Sequence, residues 1–359
     1  MDKWTRVAPN QDPQRTRFQE IPHYQQGLYE LKNGIYAWMV PNGSWGESNN
    51  GLITGEGESL LIDTQWDVRC TQTMLDAMRL WLDASPLKIV VNTHADGDHW
   101  WGNQLVSGAE IITSQASYDE MTHIKPQSMI LLGKQLGPLL SLIGVKKVGH
   151  WFQNMIAPYH FEEVTLALPT RTFEGSLTLT IAGREVHLIE VGPAHTQGDF
   201  VVYLPKEKIL FASDILFAGV TPVMWAGPVE NWLAALDQIL DMKVDTIVPG
   251  HGPITDKKGV KAVKDYWAFV QTEVRKRFDA GMQAEQAATD IALSKDFVEQ
   301  PFAGWNSPER LMTNTHTIYR QLQGRTDMPK APELIGIMWK QALLAHKLPD
   351  AQPAMMRLP

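Results

Sequence analysis

The chain has 359 residues, a formal net charge of −8 and a hydrophobic fraction of 44%, values typical of a globular protein with a large apolar core. Its one cysteine, Cys70, excludes a disulfide scaffold, a cysteine-rich zinc module and an iron–sulfur cluster. A pI near 5.8 argues against binding of a nucleic-acid backbone, which needs a basic surface. The charged residues at the start of the chain do not form a secretory signal, so a cytoplasmic location is expected.

The first hundred residues predict strands and one helix. Residues 35–40 are aromatic and β-branched, as in a buried strand. Residues 52–54 and 59–62 flank a glycine-rich turn and predict a hairpin. An apolar period of helical type follows over residues 68–82. A short apolar strand is then predicted at residues 88–91.

The middle of the chain predicts a helical segment between two groups of strands. After a strand at residues 109–113, residues 114–169 are apolar and favour helices. Within them, residues 126–145 are rich in leucine, but Lys134 and several glycines and prolines argue against a membrane-spanning helix. Further strands are predicted at residues 177–181, 185–191, 200–204, 208–211 and 245–249, with a helix at residues 232–240.

Beyond about residue 257 the pattern is helical. Ser307 and Pro308 predict the capped start of a helix that runs to Leu322. The sequence therefore predicts an α/β domain over residues 1–256, with a helical insertion at about residues 114–169. Residues 257–359 are predicted to form a helical C-terminal region.

Histidines and aspartates recur where the predicted strands end. Residues 94–99 read His-Ala-Asp-Gly-Asp-His and follow the strand at residues 88–91. His195, Asp214 and His251 follow three later strands. Ligands of open α/β sheets bind at the carboxyl ends of strands, and imidazole and carboxylate groups are suitable ligands for divalent transition metals. The pattern predicts a metal site at one edge of the fold.

This ordered set of residues resembles the metallo-β-lactamase superfamily, over about residues 30–256. The resemblance implies a four-layer αββα sandwich that binds two divalent metal ions, with zinc expected first and iron or manganese as alternatives. It implies that Asp63 orients the ligands from behind them. It implies one ion held by His94, Asp96 and His195, a second held by Asp98, His99 and His251, and Asp214 bridging the two.

The chain departs from the superfamily motif at Asp96, where a histidine is usual. A carboxylate there brings the charge of the site closer to neutral, so bound water is acidified less. Oxygen ligands also favour iron or manganese, and the diiron branches of the superfamily carry glutamate at this position. Aspartate is one methylene shorter than glutamate, so coordination by Asp96, and with it the number of ions, stays open.

The resemblance implies a hydrolase in which a metal-bound hydroxide attacks an ester, thioester, lactone or amide bond of a small, partly apolar substrate. Asp98 is the predicted catalytic partner of the attacking water or of the leaving group. Trp45, Trp100 and Trp101 are candidate walls of the substrate pocket.

An O2-dependent diiron oxygenase or oxidoreductase is the alternative, and it rests on Asp96 alone. A binding protein without hydrolytic activity is a third interpretation. The expected partner is a small-molecule substrate, with neither nucleic acid nor a membrane as a partner. The sequence leaves open whether the chain forms a homo-oligomer.

Overall fold

The computed structural model describes residues 4–8, 22, 24–41, 45–157, 159–325 and 327–348, and two sheets organise them. Within these ranges the first sheet has eight strands, adjacent in chain order and antiparallel up to the fifth strand, then parallel. Its strands are β1 (Thr5–Ala8), β2 (Gly27–Lys32), β3 (Ile35–Met39), β4 (Asn50–Gly55), β5 (Glu58–Ile62), β6 (Leu87–Val91), β7 (Glu110–Ser114) and β8 (Arg171–Phe173).

The second sheet contains five strands in the described part of the chain. These are β9 (Ser176–Ile181), β10 (Arg184–Glu190), β11 (Phe200–Leu204), β12 (Ile209–Phe217) and β13 (Thr246–His251). They lie side by side in the order β13-β12-β11-β10-β9, and only the β12–β13 pair in this sheet, as described, is parallel.

The described α-helices fall into the connections between strands and the C-terminal part of the chain. They are α1 (Val68–Ala84), α2 (Gln115–Met121), α3 (Pro126–Met129), α4 (Gly137–Leu142), α5 (Lys146–Ile156), α6 (Val229–Asp241), α7 (Lys257–Asp279), α8 (Ala284–Leu293), α9 (Lys295–Val298), α10 (Leu311–Leu322) and α11 (Ala331–Ala345). A π-helical stretch, Ile130–Leu136, joins α3 to α4.

The alternation of side chains along the strands builds the layers. Leu52 on β4 points to the outer face of the first sheet and packs with Met74 of α1. The next residue, Ile53, points to the opposite face and joins a core that also contains Leu188 and Val202 of the second sheet. The two sheets therefore face each other, and α1 covers one outer side.

Helices α6 and α7 cover the other outer side. Trp232 of α6 and Trp267 of α7 pack with Leu210 and Ile247 of the second sheet in one buried cluster. The predicted four-layer αββα sandwich is thus confirmed. Because α7 belongs to this same core, the chain has no break in packing at residue 256, and the predicted division into two regions stays a prediction.

The predicted helical insertion forms α2 to α5, between β7 and β8. Trp151 and Phe152 of α5 lie in a buried aromatic cluster that also contains Trp100, Trp101 and Met338 of α11. The insertion is therefore packed against the end of the C-terminal region. No helix in the described ranges has both the length and the apolar character needed to cross a membrane.

Two local predictions are wrong. Ser307 does not cap a helix, because its φ of +57° places it in the left-handed region and its side chain makes no capping hydrogen bond. A 3-10 turn, Pro308–Arg310, comes first, and α10 begins at Leu311. The strand predicted at residues 208–211 continues to Phe217, so Asp214 lies inside β12 rather than after it. Residues 349–359 of the predicted helical region lie outside the described residues.

Candidate metal centre

The predicted metal ligands come together at one edge of the two sheets. His94 follows β6, and Asp98 and His99 lie in the 3-10 turn Gly97–His99 that comes next. From the second sheet, His195 lies between β10 and β11, and two more predicted ligands lie on β12 and β13. Six of the seven predicted ligands are buried in the protein, namely His94, Asp98, His99, His195, Asp214 and His251.

Two groups of three donors are close enough to hold an ion each. One is formed by His94, His195 and Asp214, the other by Asp98, His99 and His251, and the donor atoms of each group lie within 4.8 Å of one another. Each group combines residues from both sheets. Asp96, which the resemblance assigned to the first ion, belongs to neither of these groups. Asp214, the predicted bridging residue, belongs to the first.

The Asp214 carboxylate lies between the two groups. Its Oδ2 is 3.4 Å from His195 Nε2 and 3.2 Å from His251 Nε2, while Oδ1 is 3.2 Å from His99 Nε2. Burial raises the pKa of Asp214, but the nearby His251, His99 and His94 outweigh burial and hold it well below its usual value. Asp214 is therefore a carboxylate, and its position suits the bridging role that the resemblance implied.

The backbone around Asp214 explains how it reaches this position. The pairing of β12 with β13 shifts at Ser213, whose φ is +46°. Opposite it, a Cβ added to Gly250 would lie 1.9 Å from Asp214 Oδ1, so only glycine leaves room for the carboxylate. An irregular strand and a glycine in its neighbour together admit Asp214 to the centre.

Hydrogen bonds to Nδ1 hold the imidazole rings so that each Nε2 atom faces the centre. His99 Nδ1 donates to Asp63 Oδ2 over 2.9 Å. His195 Nδ1 donates to the carbonyl of Val223 over 2.7 Å, and His251 Nδ1 donates to the carbonyl of Glu47 over 3.0 Å. The Nδ1 atom of His94 lies 3.1 Å from Thr93 Oγ1 and 3.3 Å from Ser213 Oγ. Such bonds to Nδ1 are typical of metal-binding histidines.

Asp63 lies behind the ligands, as the resemblance implied. Its φ is +62° at the end of β5, and its carboxylate accepts hydrogen bonds from the backbone and hydroxyl of Thr93 over 2.7 and 2.8 Å. Thr93 Oγ1 is also 2.6 Å from Ser213 Oγ, which belongs to the second sheet. Asp63 and Thr93 therefore connect the rings of His94 and His99 to the scaffold.

Three atoms in the centre show that the residues fit a metal. The Nε2 atom of His94 is buried and has no hydrogen-bond partner among the described residues, and neither His99 Nε2 nor Asp214 Oδ1 makes a well-aligned hydrogen bond there, although these two atoms lie 3.2 Å apart. Buried polar atoms are rarely left unsatisfied unless a ligand or ion completes them. Imidazole nitrogen and carboxylate oxygen at this spacing are a donor set suited to divalent transition metals.

Asp96 makes different contacts from the other predicted ligands. Its Oδ2 accepts a hydrogen bond from Trp225 Nε1 over 2.8 Å and lies 3.1 Å from His195 Nε2. Burial lowers the pKa of His195, but Asp96 outweighs burial and raises it to about 10. The side chain of Asp96 is 27% exposed, so it lies at the open side of the centre. Coordination of a metal by Asp96 stays a prediction.

The three candidate pocket residues lie in two different places. Trp45 lies beside the centre, because its ring centroid is 6.0 Å from that of Trp225, which binds Asp96. Trp100 and Trp101 lie in the aromatic core of the insertion, and their exposed fractions are 0% and 2%. The prediction that they form the pocket wall is therefore wrong, because their rings are enclosed by other side chains.

Asp199 and Arg310 lie at the centre and were not predicted from the sequence. Asp199 accepts hydrogen bonds from Thr196 and from the backbone of Ala194, and so fixes the loop that carries His195. Burial raises the pKa of Asp199 to about 6. An aspartate four residues after His195 in a glycine-containing turn was a local signal for this role.

Arg310 comes from the C-terminal region, in the turn before α10. It is buried, its Nη1 donates to the carbonyl of Thr221 over 3.0 Å, and its guanidinium carbon lies 4.6 Å from the centroid of the Trp45 ring. Burial lowers the pKa of Arg310, while Glu309, Asp214 and Asp98 oppose that effect. The C-terminal region thus supplies a cation beside the predicted metal ligands.

Glu120 of α2 is expected to make the stability of the protein depend on pH. Burial and the charge of Asp96 raise the pKa of Glu120 to about 7 from an ordinary 4.5. The folded state therefore holds this proton more tightly than the unfolded state, and stability is lost as the pH rises through about 7. We expect Glu120→Gln to raise the free energy of unfolding of the metal-free protein by about 2–3 kcal/mol at about pH 8, with little change at about pH 5.

Urea denaturation at the two pH values measures this effect. Glu174→Gln is the matched control, because Glu174 is exposed and should give the same free energy of unfolding as the wild type at both values. If Glu120→Gln changed the free energy of unfolding equally at both pH values, the folded state would not bind the proton of Glu120 more tightly than the unfolded state does.

A metal-binding αββα fold is the class that this architecture and this cluster define. A sequence model of the metallo-beta-lactamase superfamily matches residues 43–251, which is more than half of the chain. The protein belongs to this superfamily. Its members typically bind divalent metals, and the two donor groups described above are where such ions fit.

The chain is similar to individual members of the superfamily over part of their length. A linear primary-alkylsulfatase from Pseudomonas sp. (strain ATCC 19151) is 25% identical over 255 residues, which cover 65% of this chain and 48% of the relative. The chain spans about half the length of the first curated relatives that it matches.

Two solved structures share the fold. A stereoselective inverting sec-alkylsulfatase from Pseudomonas sp. is 16% identical with a TM-score of 0.60, and the match covers 90% of this chain and 56% of that chain. A metallo-beta-lactamase from Pontibacter korlensis is 20% identical with a TM-score of 0.50, covering 68% and 99%. The first match extends through the helical C-terminal region, so that region is part of the shared fold.

Proposed function

We propose that the protein is a metal-dependent hydrolase with a two-ion centre. The observation that carries this proposal is the pair of three-donor groups on either side of the Asp214 carboxylate. Membership of a superfamily that includes hydrolases supports it. Divalent ions bound there would act as Lewis acids, polarising the oxygen of the bond to be cleaved and acidifying water.

The protein's own groups orient the reactants and move the proton. Asp98 Oδ2 lies 3.5 Å from His251 Nε2 and 3.7 Å from His99 Nε2, and burial raises the pKa of Asp98. A carboxylate this close to the donors of the second group suits the orientation of the attacking water and the transfer of a proton to the leaving group. We assign this role to Asp98, and to Asp63 the orientation of His99.

The proposed substrate is a small ester with an apolar part. Trp45 and Trp225 are both partly exposed and provide aromatic surface beside the centre, with their ring centroids 6.0 Å apart. Such a wall suits an alkyl or aryl group. Because relatives are named as alkylsulfatases, an alkyl sulfate is the first ester to test, ahead of carboxylic esters, thioesters, lactones and amides.

The test combines metal analysis with a matched set of substrates. Purified protein is analysed for zinc, iron and manganese, and its rate is measured on compounds that share one alkyl chain and differ only in the bond to be cleaved. We expect hydrolysis of at least one ester, lost with a chelator and restored by a divalent ion. No hydrolysis of any compound by metal-loaded protein, or turnover that consumes O2 with two bound irons, would contradict the proposal.

Asp96→His tests the effect of the unusual carboxylate. If Asp96 weakens the Lewis acidity of the centre, histidine at this position should raise zinc content and increase the rate of hydrolysis by about ten-fold. Trp225→Phe is the companion variant, because it removes the hydrogen bond to Asp96 and keeps an aromatic ring. Unchanged metal content and rate in Asp96→His would place Asp96 outside the coordination sphere.

A further inference from the structure

The insertion exposes apolar side chains that the core does not use. Leu139, Leu142 and Ile143, at the end of α4 and directly after it, are 53%, 84% and 64% exposed, and we call these three residues the apolar tip. Leu131 lies two turns earlier and is 52% exposed. These four are among nine large apolar residues that are exposed in the described part of the chain. Clustering of this kind marks an interaction surface.

The apolar tip is held in a fixed position. Gly144, with φ of +90°, turns the chain between α4 and α5. The two helices pack closely, because a Cβ on Gly149 would lie 2.6 Å from the carbonyl oxygen of Gly137, and Gln153 Nε2 donates to Ser141 Oγ over 2.9 Å. Helices α4 and α5 form a helical hairpin, and its opposite face, which includes Leu140, is buried. The exposed residues therefore do not contribute to the fold of the hairpin.

The charged side chains next to the apolar tip in the sequence are lysines. Residues 121–161 contain four lysines and neither aspartate nor glutamate, although the whole chain has a net charge of −8. Lys146 and Lys147 are exposed and follow the tip directly. Lys134 pairs with Glu162 over 2.8 Å, and Lys125 lies before α3. An apolar protrusion next to lysines suits an anionic, apolar surface.

We propose that the apolar tip and the adjacent Lys146 and Lys147 bind the surface of a lipid bilayer that contains anionic headgroups. Leucine and isoleucine side chains enter the boundary between headgroups and acyl chains, and lysines just behind them remain at the headgroups. A second copy of the chain fits less well. In a two-fold contact each patch meets itself, which would bring these lysines against each other. The proposal replaces the expectation from sequence that no membrane is a partner, and it is independent of the proposed hydrolase activity.

Sedimentation of the full chain with lipid vesicles tests the proposal. We expect strong binding to vesicles of phosphatidylcholine mixed with phosphatidylglycerol, and weak binding to phosphatidylcholine alone. The double variant Leu142→Ser with Ile143→Ser should bind the mixed vesicles at least about ten-fold more weakly, because the apolar contact is lost. Leu80→Ser is the matched control, since Leu80 is 74% exposed on α1, and it should bind like the wild type.

A second pair of variants tests the charge. Lys146→Gln with Lys147→Gln should lower binding to the mixed vesicles by about ten-fold or more and leave binding to phosphatidylcholine unchanged. Lys261→Gln with Lys276→Gln, two exposed lysines on α7, is the control and should have no effect. Absence of wild-type binding to the mixed vesicles would overturn the proposal. Loss of a dimer in the Leu142 and Ile143 variant, without a change in vesicle binding, would also overturn it and assign the tip to self-association.

Discussion

Asp214→Asn is expected to remove bound metal from both donor groups and to lower hydrolysis at least about 100-fold. Changes behind metal ligands typically cost 10–100-fold in affinity or activity, and Asp214 lies among the ligands themselves. The reason is its position, since its oxygens lie within 3.4 Å of Nε2 atoms on His99, His195 and His251. Asparagine keeps the volume and removes the negative charge. Metal content per chain and the rate on the preferred ester measure the effect.

Asp245→Asn is the control for this variant. Asp245 is exposed and makes a surface ion pair with Lys208 over 3.5 Å, so its substitution should leave metal content and rate unchanged. If Asp214→Asn retained two ions and full activity, Asp214 would not bridge the two groups. Loss of one ion alone would limit its role to a single group.

Arg310→Met is expected to lower the free energy of unfolding by about 3–5 kcal/mol, because it removes a buried cation and leaves the neighbouring carboxylates without it. These carboxylates include Glu309, Asp98 and Asp214. The variant also loses the stacking of the guanidinium on Trp45 and its bond to Thr221. Urea denaturation of metal-free protein measures the change.

Two further variants serve as controls for Arg310→Met. Arg275→Met removes an exposed arginine that pairs with Asp279 on the same helix, and it should cost less than about 1 kcal/mol. Arg310→Lys keeps the charge but not the planar guanidinium group. Its loss in free energy of unfolding should therefore be larger than that of Arg275→Met and smaller than that of Arg310→Met. A loss for Arg310→Met no larger than that for Arg275→Met would show that the buried carboxylates do not need this cation.

Local patterns in the sequence were sufficient to predict an α/β domain and most of the residues in the cluster, whereas the four-layer sandwich came from the resemblance. Apolar runs between turn residues predicted β4 and β5, both of whose faces are buried, and most of the ligands lie after a strand or at its end. His94, His195 and His251 could be found this way because the carboxyl ends of strands meet at one edge. Their grouping around two ions came from the resemblance, and the structure brings six of the seven predicted ligands into two groups, while coordination by Asp96 stays a prediction.

The features that were missed depend on contacts between distant parts of the chain. Nothing around Arg310 in the sequence indicates that it reaches Trp45, because the approach depends on how α10 packs on the second sheet. Trp225 binds Asp96 across two loops for the same reason. The local pattern at Ser307 predicted a helix cap, but its backbone is in the left-handed region and its side chain makes no capping hydrogen bond.

The hydroxyl pair Thr93–Ser213 spans the two sheets behind the ligands, over 2.6 Å. Each donor group also draws from both sheets, since one joins His94 to Asp214 and the other joins His99 to His251. Ions bound there would join the two sheets, so that a higher affinity for metal would accompany a higher stability of the fold. Substitutions between the sheets, far from any ligand, would then lower the affinity for metal as well as the stability of the fold.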